Sequence, residues 1–537
     1  MMALLTTSFW PADTSVPVLR QSVGDLLRGA AADAPTQPAL ISVAPGRDAR
    51  TWTYRELLDD AEHAAAWLLD RFDPGDAVVV WAPNVPEWVV LQYGAALAGL
   101  VLVTANPALR GAELRHVLAS SHAAGIFFVA DFRGTDMAAL LNDVLPHVPN
   151  VTEHVDLADW LDHTRQCAVR TDLPTVDPES PTQIQFTSGT TGPAKPAVLK
   201  HLSMVSNAAY VRRRCGAPFG ATYLTALPLF HTAGCGLAGM GSVHERATLV
   251  LGEVFDPATL IAAIDDYDVV TFGGVPAMLH AMIGHPAMAE ADLSSLRIVM
   301  SGGDMVPADL VAAWMQRCGA ASSSVYGQTE LSPIVCQTAP DDAPADNLRT
   351  AGRPLPNVDV AILEPGGSTV LPIGAEGEIC ARGYQAMIGY LDQPEATARA
   401  IDADGWVRTG DLGRMDDRGY VTVTGRLKNL IIRGGENIHP FEVEETIVPH
   451  PAVANATVIG VPDEQWGETV AAVLQLVPGA DAPSAVELKT LVRERLSPQK
   501  TPSAWFVTAE LPVNAMGKLQ RFRLLEEIDA GRLTVLT

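Results

Sequence analysis

The chain has no pair of closely spaced cysteines. Its six cysteines are scattered along the sequence, and none forms a Cys-x-x-Cys motif. They are Cys167, Cys215, Cys235, Cys318, Cys336 and Cys380. This spacing excludes a zinc ribbon and a redox dithiol, and it favours a reducing compartment such as the cytoplasm.

Basic charge is scarce. Lys and Arg together number 37 against 62 Asp and Glu, which gives a formal net charge of −25. A field of that sign repels nucleic acid and anionic membranes, and the sequence has no local basic patch to offset it. It also repels nucleotides at long range, so a phosphate site must depend on local backbone N–H groups and a few well-placed cations.

Long uninterrupted hydrophobic runs are also missing. The longest apolar stretch, 88–105, contains Gln92, Tyr93, Gly94 and Gly99 and lacks flanking Lys or Arg. It predicts a buried helix followed by a buried strand, not a membrane span. The first residues have no basic segment before an apolar one, so we expect no secretory signal peptide.

What the sequence does contain is enough apolar material for several structural units. It has 537 residues, 48% of them hydrophobic. Between 53 and 129, helix-like and strand-like segments alternate, which predicts an α/β fold with doubly wound sheets. Between about 350 and 427, short alternating strands predict a small β-barrel-like subdomain or a distorted sheet. We expect a large N-terminal domain over 1–427 and a small, mobile α+β domain over 428–537.

The stretch QIQFTSGTTGPAKPAVLKH, from 183 to 201, indicates an anion site. Ile184 and Phe186 alternate with glutamine and threonine, which predicts a half-buried strand. The turn that follows has small and hydroxyl side chains, N–H groups that can converge on a phosphate, and then Lys195. That lysine does not directly follow the second glycine, so the turn is not a Walker A loop, and alone it is a weak signal.

Four further motifs follow this turn in a fixed order. They are VYGQTE at 325–330, GWVRTGDLG with Asp411, TGRLKNLIIRGGENI with Arg426 and Lys428, and LPVNAMGKLQR with Lys518. Read singly, Asp411 is an ordinary turn aspartate, Glu330 a helix cap and Lys518 a solvated lysine. Together, over about 22–525, the five motifs resemble the adenylate-forming superfamily of acyl-CoA synthetases, luciferases and peptide-synthetase adenylation domains. Within this superfamily, the motifs are most similar to those of bacterial fatty-acyl and aryl-acid CoA ligases.

The resemblance implies ATP and Mg²⁺ as cofactors. The glycine-rich turn would hold the β and γ phosphates, and its residues are Thr187, Ser188, Gly189, Thr190, Thr191 and Gly192. Lys195 would add a positive charge. Thr329 would bond the α-phosphate, and Glu330 together with Thr190 would hold Mg²⁺, since hard cations prefer oxygen ligands.

The resemblance also implies residues for the nucleoside and for the reaction. Tyr326 would stack on adenine, Asp411 would accept the ribose hydroxyls, and Arg426 would reach the same ribose. The other residues around the base would be Gly302, Gly303, Asp304 and Gly327. Lys518 would bridge the attacking carboxylate and the α-phosphate, which makes it the principal catalytic residue.

The acid is expected in a small apolar pocket. His231 would be a gate that lines the acyl and thiol tunnel, because no serine nucleophile or acidic partner suggests catalysis by this histidine. The other expected contacts are Thr232, Gly274, Val275 and Leu331. Such surroundings favour a fatty or aryl carboxylic acid over an amino acid but leave its identity open.

The implied reaction has two steps. The acid and MgATP would give an acyl-adenylate and pyrophosphate, and CoA would then displace AMP. One site cannot complement two different transition states, so the C-terminal domain is expected to swing about Lys428 between the steps. Lys518 would face the site in the first step, and a loop made of Gly434, Gly435 and Glu436 would replace it in the second.

Three positions depart from the family pattern. Pro196 stands where glycine is usual, and it lacks an N–H and restricts φ. His439 and Gln499 stand where tyrosine is common, on the side that meets the second nucleophile. Sequence drift explains these differences, and so does a different acceptor or acid: a carrier protein, an amine, or nitrite activated to convert an aromatic amine into a diazonium.

A third alternative belongs to another class of protein. The same fold can serve as a nucleotide sensor without catalysis. The presence of Lys195, Glu330, Asp411 and Lys518 in one chain argues against that alternative. The sequence does not indicate the oligomeric state.

Overall fold

The computed structural model describes residues 4–187, 194–303, 306–433, 436–463, 465–513 and 519–537. Within these ranges the strands form four main sheets and one two-stranded ribbon, Asp131–Phe132 with Thr135–Asp136. Helices lie between the strands of the first two sheets described below. This mixed architecture confirms the predicted α/β fold class.

The first sheet has seven strands, and five adjacent strands among them run parallel to one another. In spatial order the strands are Gly389–Tyr390, Lys195–Lys200, Pro181–Thr187, Val101–Ala105, Ala77–Trp81, Gly125–Phe128 and Glu153–Asp156. Pro86–Ala98 is a helix that is buried on all sides and leads directly into the buried strand Val101–Ala105. The helix and strand predicted for 88–105 are therefore confirmed.

The second sheet has nine strands with a parallel centre and antiparallel edges. In spatial order they are Arg353–Pro354, Ile334–Gln337, Ala321–Gly327, Ile298–Gly302, Thr271–Gly274, Tyr223–Thr225, Leu249–Gly252, Pro38–Val43 and Arg50–Thr53. One large apolar cluster contains residues of both sheets and of the helices between them, Trp88 and Tyr210 among them.

The helices of the described chain are mostly short. The α-helices are Val23–Asp33, Tyr54–Leu69, Pro86–Ala98, Gly111–Ser120, Met137–Val144, Trp160–Thr164, His201–Cys215, Gly241–His244, Pro257–Asp266, Pro276–Ile283, Ala308–Cys318, Pro344–Arg349, Pro394–Ala400, Pro440–Ile447, Ala485–Arg493 and Arg521–Asp529. Ala233–Met240 is π-helical. Across the ranges given above, none of these helices is both long and apolar enough to cross a membrane.

The third sheet is the antiparallel structure expected from the turn-rich sequence after residue 350. Its strands are Phe9–Trp10, Val358–Leu363, Gly377–Gly383, Val407–Met415 and Val421–Arg426. The N-terminal strand Phe9–Trp10 pairs with Val360 and Ala361 at one edge. No sequence pattern indicated that the first residues of the chain belong to this sheet.

The fourth sheet is built from residues after 430. Its strands are Glu436–Ile438, Ile431–Arg433, Val453–Asp463, Gly467–Leu476, Ala504–Thr508 and Thr534–Val535. Helices Pro440–Ile447 and Ala485–Arg493 contribute Val443 and Leu488 to a separate apolar core. This segment therefore combines strands and helices, in agreement with the predicted α+β fold class of the C-terminal part.

One prediction of strand polarity is wrong. Pro181–Thr187 is not half-buried with its glutamines outside, because Gln183 and Gln185 are as buried as Ile184. The strand lies between two other strands, and both glutamine side chains bond inward to the Cys235 thiol, at 3.3 and 3.6 Å. A buried strand can carry polar side chains when their hydrogen bonds are satisfied.

Candidate active site

Three neighbouring parallel strands of the second sheet end in glycines at one edge. A Cβ atom at Gly302 would lie 2.4 Å from the Val325 carbonyl oxygen, and one at Gly327 would lie 1.9 Å from the Pro333 carbonyl oxygen. Gly274 ends the next strand and pairs in register with Ser301. Only glycine allows the backbone to pass this closely, and ligands in α/β sheets bind at such strand ends.

The predicted nucleoside residues meet at this edge. The Tyr326 hydroxyl donates to one Asp411 carboxylate oxygen at 2.9 Å, and Arg426 Nε lies 2.8 Å from the other. Asp411 is buried, and its backbone N–H donates to Thr409 Oγ1 at 3.1 Å. Burial, followed by the Asp411 charge, holds the pKa of Tyr326 well above its ordinary value, so the hydroxyl stays a donor.

This geometry follows from the third sheet. Asp411 and Arg426 face each other in register on adjacent antiparallel strands. Gly410 precedes Asp411 with φ +70°, a conformation that favours glycine. The sheet therefore presents a carboxylate and a guanidinium side by side, while Tyr326 reaches them from the second sheet.

Three of the predicted phosphate and metal residues, Thr187, Lys195 and Glu330, lie around a tyrosine that the sequence analysis missed. Tyr390 donates its hydroxyl to Glu330 Oε1 at 2.7 Å, and Lys195 Nζ lies 5.0 Å from the centre of its ring. Thr187 also bonds this hydroxyl, and burial followed by the Glu330 charge raises the pKa of Tyr390. Thr329 and Glu330 form a short 3-10 turn after Gly327. Tyr390 has no motif around it that reveals this contact.

The donor set suits Mg²⁺ held mainly by a substrate. Within the described part of the chain, no group of three His, Cys, Asp or Glu side chains could hold a metal alone. Mg²⁺ commonly takes one or two carboxylates, water and phosphate oxygens. Glu330 keeps one carboxylate oxygen beyond its bond from Tyr390 and can supply such a ligand.

Several predicted residues lie outside the described ranges. They are Ser188, Gly189, Thr190, Thr191, Gly192, Asp304, Gly434, Gly435 and Lys518. Thr187 and Lys195 lie on either side of residues 188–193, and they pair with each other on adjacent antiparallel strands. Pro196, beside Lys195, pairs with Phe186, and its carbonyl accepts from the N–H of Leu391 at 2.9 Å.

Two of the predicted acyl residues, His231 and Thr232, directly precede the π-helical segment. Gln185 Oε1 accepts the N–H of Thr232 at 3.1 Å, and His231 Nδ1 accepts that of Ala233 at 3.3 Å. A Cβ atom at Gly234 would lie 2.2 Å from the Pro228 carbonyl oxygen, so this turn requires glycine. π-Helical turns are rare in proteins, and those that occur are often found at functional sites.

Of the other predicted acyl residues, Gly274 ends its strand, Val275 directly follows it, and Leu331 lies in the 3-10 turn Thr329–Leu331. Gly303, at φ +81°, has its Cβ position 3.7 Å from Val275 Cγ1. Leu331 is fully buried in the main apolar cluster. Gln183, Gln185 and Cys235 join this region through hydrogen bonds that no sequence motif indicated, and burial raises the pKa of the Cys235 thiol to about 12.

The small α+β segment contacts the large one through one of the unusual residues. His439 Nε2 lies 2.9 Å from Glu376 Oε1, and this bond is the main reason that the pKa of Glu376 falls to about 2. Lys428 lies in the 3-10 turn Leu427–Asn429. Glu436 is exposed and pairs with Arg433, whose guanidinium donates to the Gln499 carbonyl at 2.6 Å. The histidine thus bridges the third sheet and the helix that it precedes.

The site combines glycine-ended strands of an α/β sheet with Asp411 and Arg426 of an antiparallel sheet, and a small α+β segment follows. This combination is typical of adenylate-forming enzymes. The AMP-binding enzyme family model matches residues 27–391, and the model of the AMP-binding enzyme C-terminal domain matches 442–518. The chain belongs to the AMP-binding enzyme family. The resemblance drawn from the five motifs is confirmed.

Individual relatives agree with this assignment. The chain is 34% identical to 3-[(3aS,4S,7aS)-7a-methyl-1,5-dioxo-octahydro-1H-inden-4-yl]propanoyl:CoA ligase of Rhodococcus jostii, over 91% of this chain and 96% of that one. It is 30% identical to the mitochondrial medium-chain acyl-CoA ligase ACSF2 of Macaca fascicularis, over 95% and 88%. Its fold is similar to that of ATP-bound MatB from Rhodopseudomonas palustris, with a TM-score of 0.87, 26% identity, and 96% and 100% of the chains covered.

Proposed function

We propose that this chain activates a carboxylic acid with ATP and transfers the acyl group to CoA. The acid oxygen attacks the α-phosphorus of ATP, the bond to the β-phosphate oxygen breaks, and pyrophosphate leaves. The CoA sulfur then attacks the acyl carbon, loses its proton, and AMP leaves. The observation that carries the proposal is the Tyr326–Asp411–Arg426 network beside Glu330 at glycine-ended strands.

The nucleotide is oriented before the reaction begins. Asp411 has two oxygens with several acceptor positions, and its bonds from Tyr326 and Arg426 leave positions for ribose hydroxyls. Because those two donors already restrain the carboxylate, little side-chain freedom is lost when ATP binds. Mg²⁺, when bound, would neutralise phosphate charge next to Glu330.

We assign the neutralisation of negative phosphate charge in the transition state to two lysines. Lys195 lies beside the Glu330–Tyr390 pair, where it can approach the phosphates. We assign Lys518 to the bridge between the attacking carboxylate and the α-phosphate, on the basis of its motif. A net charge of −25 gives no general attraction for ATP, so these local cations have to supply it.

We propose that residues 1–427 and 428–537 are separate domains that change orientation between the steps. Lys428 lies in a three-residue 3-10 turn between the third and fourth sheets, which suits a hinge. Lys428→Pro would remove an N–H and restrict φ, so pyrophosphate release should remain while thioester formation falls. Lys428→Ala is the control, and equal loss of both steps would contradict the hinge.

A purified-enzyme assay tests the proposed function. The chain is incubated with MgATP, CoA and a panel of fatty and aryl acids, and then with nitrite plus aminoaryl acids, while AMP and acyl-CoA are followed. CoA-dependent AMP release with a carboxylic acid is the expected result. Release only with nitrite and an amine, ADP formation, or no nucleotide cleavage would each reject the proposal, the last in favour of a sensor.

We also propose that the enzyme works in a reducing compartment such as the cytoplasm. All six cysteines are free thiols, and four of them are buried. Burial raises the pKa of the Cys336 thiol to about 12, so it is unreactive at neutral pH. Fractionation of cells that express a tagged chain is the direct measurement, and recovery in an oxidising compartment would contradict it.

A further inference from the structure

His439 joins the small α+β segment to the third sheet. It directly precedes helix Pro440–Ile447, and its Nε2 atom lies 2.9 Å from Glu376 Oε1. Glu376 in turn directly precedes strand Gly377–Gly383 of the third sheet. Only 15% of the His439 side chain and 24% of the Glu376 side chain are exposed. Partly buried pairs are screened less by solvent and salt than exposed ones, so this bond is stronger than a surface pair.

Glu376 is held by its own sheet as well as by His439. Its second carboxylate oxygen, Oε2, accepts from Arg414 Nη2 at 3.4 Å. Arg414 lies on strand Val407–Met415, next to the strand that follows Glu376. The bond from His439 is the main cause that lowers the pKa of Glu376 to about 2, so the carboxylate is charged at neutral pH. One carboxylate oxygen therefore anchors the side chain to the sheet, while the other bonds the C-terminal segment.

The His439 ring also packs directly on strand Val421–Arg426. A Cβ atom at Gly425 would lie 3.0 Å from His439 Nδ1, and its three nearest atoms outside the chain neighbours all belong to His439. A methyl group at position 425 would therefore displace this ring first. Glycine at this position allows the ring to approach the strand backbone closely.

This contact lies beside the residues proposed to hold the ribose. Gly425 pairs in register with Leu412, and the next pair along the same two strands is Arg426 with Asp411. His439 thus contacts the third sheet one residue away from Arg426. The same strand therefore carries a contact with the C-terminal segment and part of the nucleotide network.

The two bonded residues lie on opposite sides of the proposed hinge. Glu376 precedes Lys428 in the chain and borders the third sheet, whereas His439 follows Lys428 and borders a helix of the C-terminal segment. A rotation about Lys428 moves His439 relative to Glu376, and a displacement beyond about 0.5 Å breaks a hydrogen bond of this length. The bond therefore exists in one arrangement of the two parts and is absent from a rotated one.

We propose that the pair His439–Glu376 is a latch that holds the C-terminal segment in the arrangement of this structure and opens between the two steps of the reaction. The inference rests on the proposed function, which supplies the two steps and the rotation. By stabilising one arrangement, the latch favours the step that this arrangement performs and delays the other. His439 is thus a positioning residue, and this role accounts for one of the three unusual positions without a different acceptor.

The test measures the two steps separately. Pyrophosphate release in a single turnover without CoA reports the first step, and acyl-CoA formation after adding CoA to enzyme that already holds acyl-adenylate reports the second. The acid is the fatty or aryl acid with the fastest AMP release in the assay described above. For His439→Phe, which keeps a ring and removes the bond, one step should slow about tenfold while the other is unchanged or faster. A merely structural residue would slow both steps.

Two further variants open the same latch, and one control breaks a similar pair elsewhere. Glu376→Gln removes the carboxylate charge, and Gly425→Ala displaces the His439 ring, so both should change the ratio of the two rates in the same direction as His439→Phe. The control is His450→Phe, because His450 Nε2 lies 3.1 Å from Glu487 Oε1 and both residues belong to the C-terminal segment. This control should leave the ratio unchanged, whatever its effect on Tm.

A second measurement does not depend on turnover. Lys428 is exposed, but trypsin cleaves after it only when the surrounding turn opens, so the cleavage rate reports how firmly the C-terminal segment is held. His439→Phe and Glu376→Gln should be cleaved at this bond about tenfold faster than the wild-type chain and His450→Phe. If His439→Phe does not fold, Glu376→Gln and Gly425→Ala carry both measurements.

Other outcomes separate the latch from the proposed function. If His439→Phe slows both steps equally or leaves both unchanged, the latch is rejected and the ligase function stands. Opposite changes of the ratio in Gly425→Ala and His439→Phe would also reject it. If no acid supports nucleotide cleavage, the proposed function fails, and trypsin alone then decides whether the pair holds the C-terminal segment. Unchanged cleavage after Lys428 would in that case reject both.

Discussion

Two buried charges of the large segment are stabilised in different ways. At the nucleotide end of the site, Asp411 is buried but bonded to both Tyr326 and Arg426. On helix His201–Cys215, Arg212 is equally buried, and its guanidinium lies 4.8 Å from the centre of the Tyr223 ring. The Asp411 charge is therefore balanced by a cation, whereas the Arg212 charge lies against an aromatic ring, which offsets only part of the cost of burial.

The difference indicates how the nucleotide end recognises its ligand. A carboxylate that is already restrained binds ribose with a small loss of side-chain freedom, so the same nucleotide is bound in every cycle. Binding of the nucleotide at this end and binding of the acid at the other end of the site should be separable by mutation.

The largest expected effect concerns Lys518, which lies outside the described ranges and has its proposed role from its motif. Lys518→Ala should lower the rate of pyrophosphate release by about 10²–10³, because it removes a donor used in the transition state. Binding of ATP, followed by calorimetry, should change much less. Lys489→Ala, on the exposed side of helix Ala485–Arg493, is the control. A large loss of ATP affinity would assign Lys518 to the nucleotide end instead.

The next effect is specific to the nucleotide end. Asp411→Asn removes the charge that pairs with Arg426, and hydrogen bonds to charged groups are worth enough that the KM for ATP should rise about tenfold to hundredfold. The KM for the acid should not change. Asp417→Asn, at an exposed aspartate in the turn between strands Val407–Met415 and Val421–Arg426, is the control. A parallel rise in the KM for the acid would show that the two ends are not independent.

A smaller effect is expected beside the phosphates. Tyr390→Phe removes the 2.7 Å bond to Glu330, and kcat/KM for ATP should fall about tenfold. The Mg²⁺ concentration that gives half-maximal rate should rise, because Glu330 loses its restraint. Tyr267→Phe, at the end of helix Pro257–Asp266, is the control. An unchanged Mg²⁺ dependence would argue that Glu330 does not approach the metal.

The smallest effect on catalysis is expected away from both ends, at His201. Val23 donates its N–H to His201 Nδ1 at 3.2 Å, and burial lowers the pKa of His201 from 6.5 to about 4. The unfolded chain therefore binds this proton more readily, and the free energy of unfolding should decrease as pH falls from 6.5 to about 4, by roughly 3 kcal/mol.

Urea unfolding over that pH range provides the measurement. His201→Gln keeps an acceptor for the Val23 N–H but does not titrate, so its stability should depend less on pH, while kcat/KM near neutral pH stays unchanged. Burial also lowers the pKa of His244 to about 4, so part of the dependence will remain. Equal pH dependence in variant and wild type would contradict the His201 contribution.

Local patterns were sufficient for the elements that repeat a simple periodicity. The helix Pro86–Ala98 and the strand after it were predicted from a mainly apolar stretch that polar residues and glycines interrupt, and the antiparallel sheet after residue 350 was predicted from alternation and turns. The same method failed for Gln183 and Gln185. Periodicity predicts that polar residues face solvent, because the local pattern does not include the Cys235 thiol, which is distant in sequence and accepts hydrogen bonds from both glutamines.

The sequence by itself determined the family, because a chemistry that needs a carboxylate, a tyrosine and a cation imposes recognisable motifs, and three of the motif residues meet in the described structure. Asp411, Tyr326 and Arg426 are the example. Only the tertiary structure revealed Tyr390 beside Glu330 and the burial of Arg212 against the Tyr223 ring. Whether a charge is balanced depends on which side chains distant in sequence face it after folding, and local patterns along the chain do not contain that information.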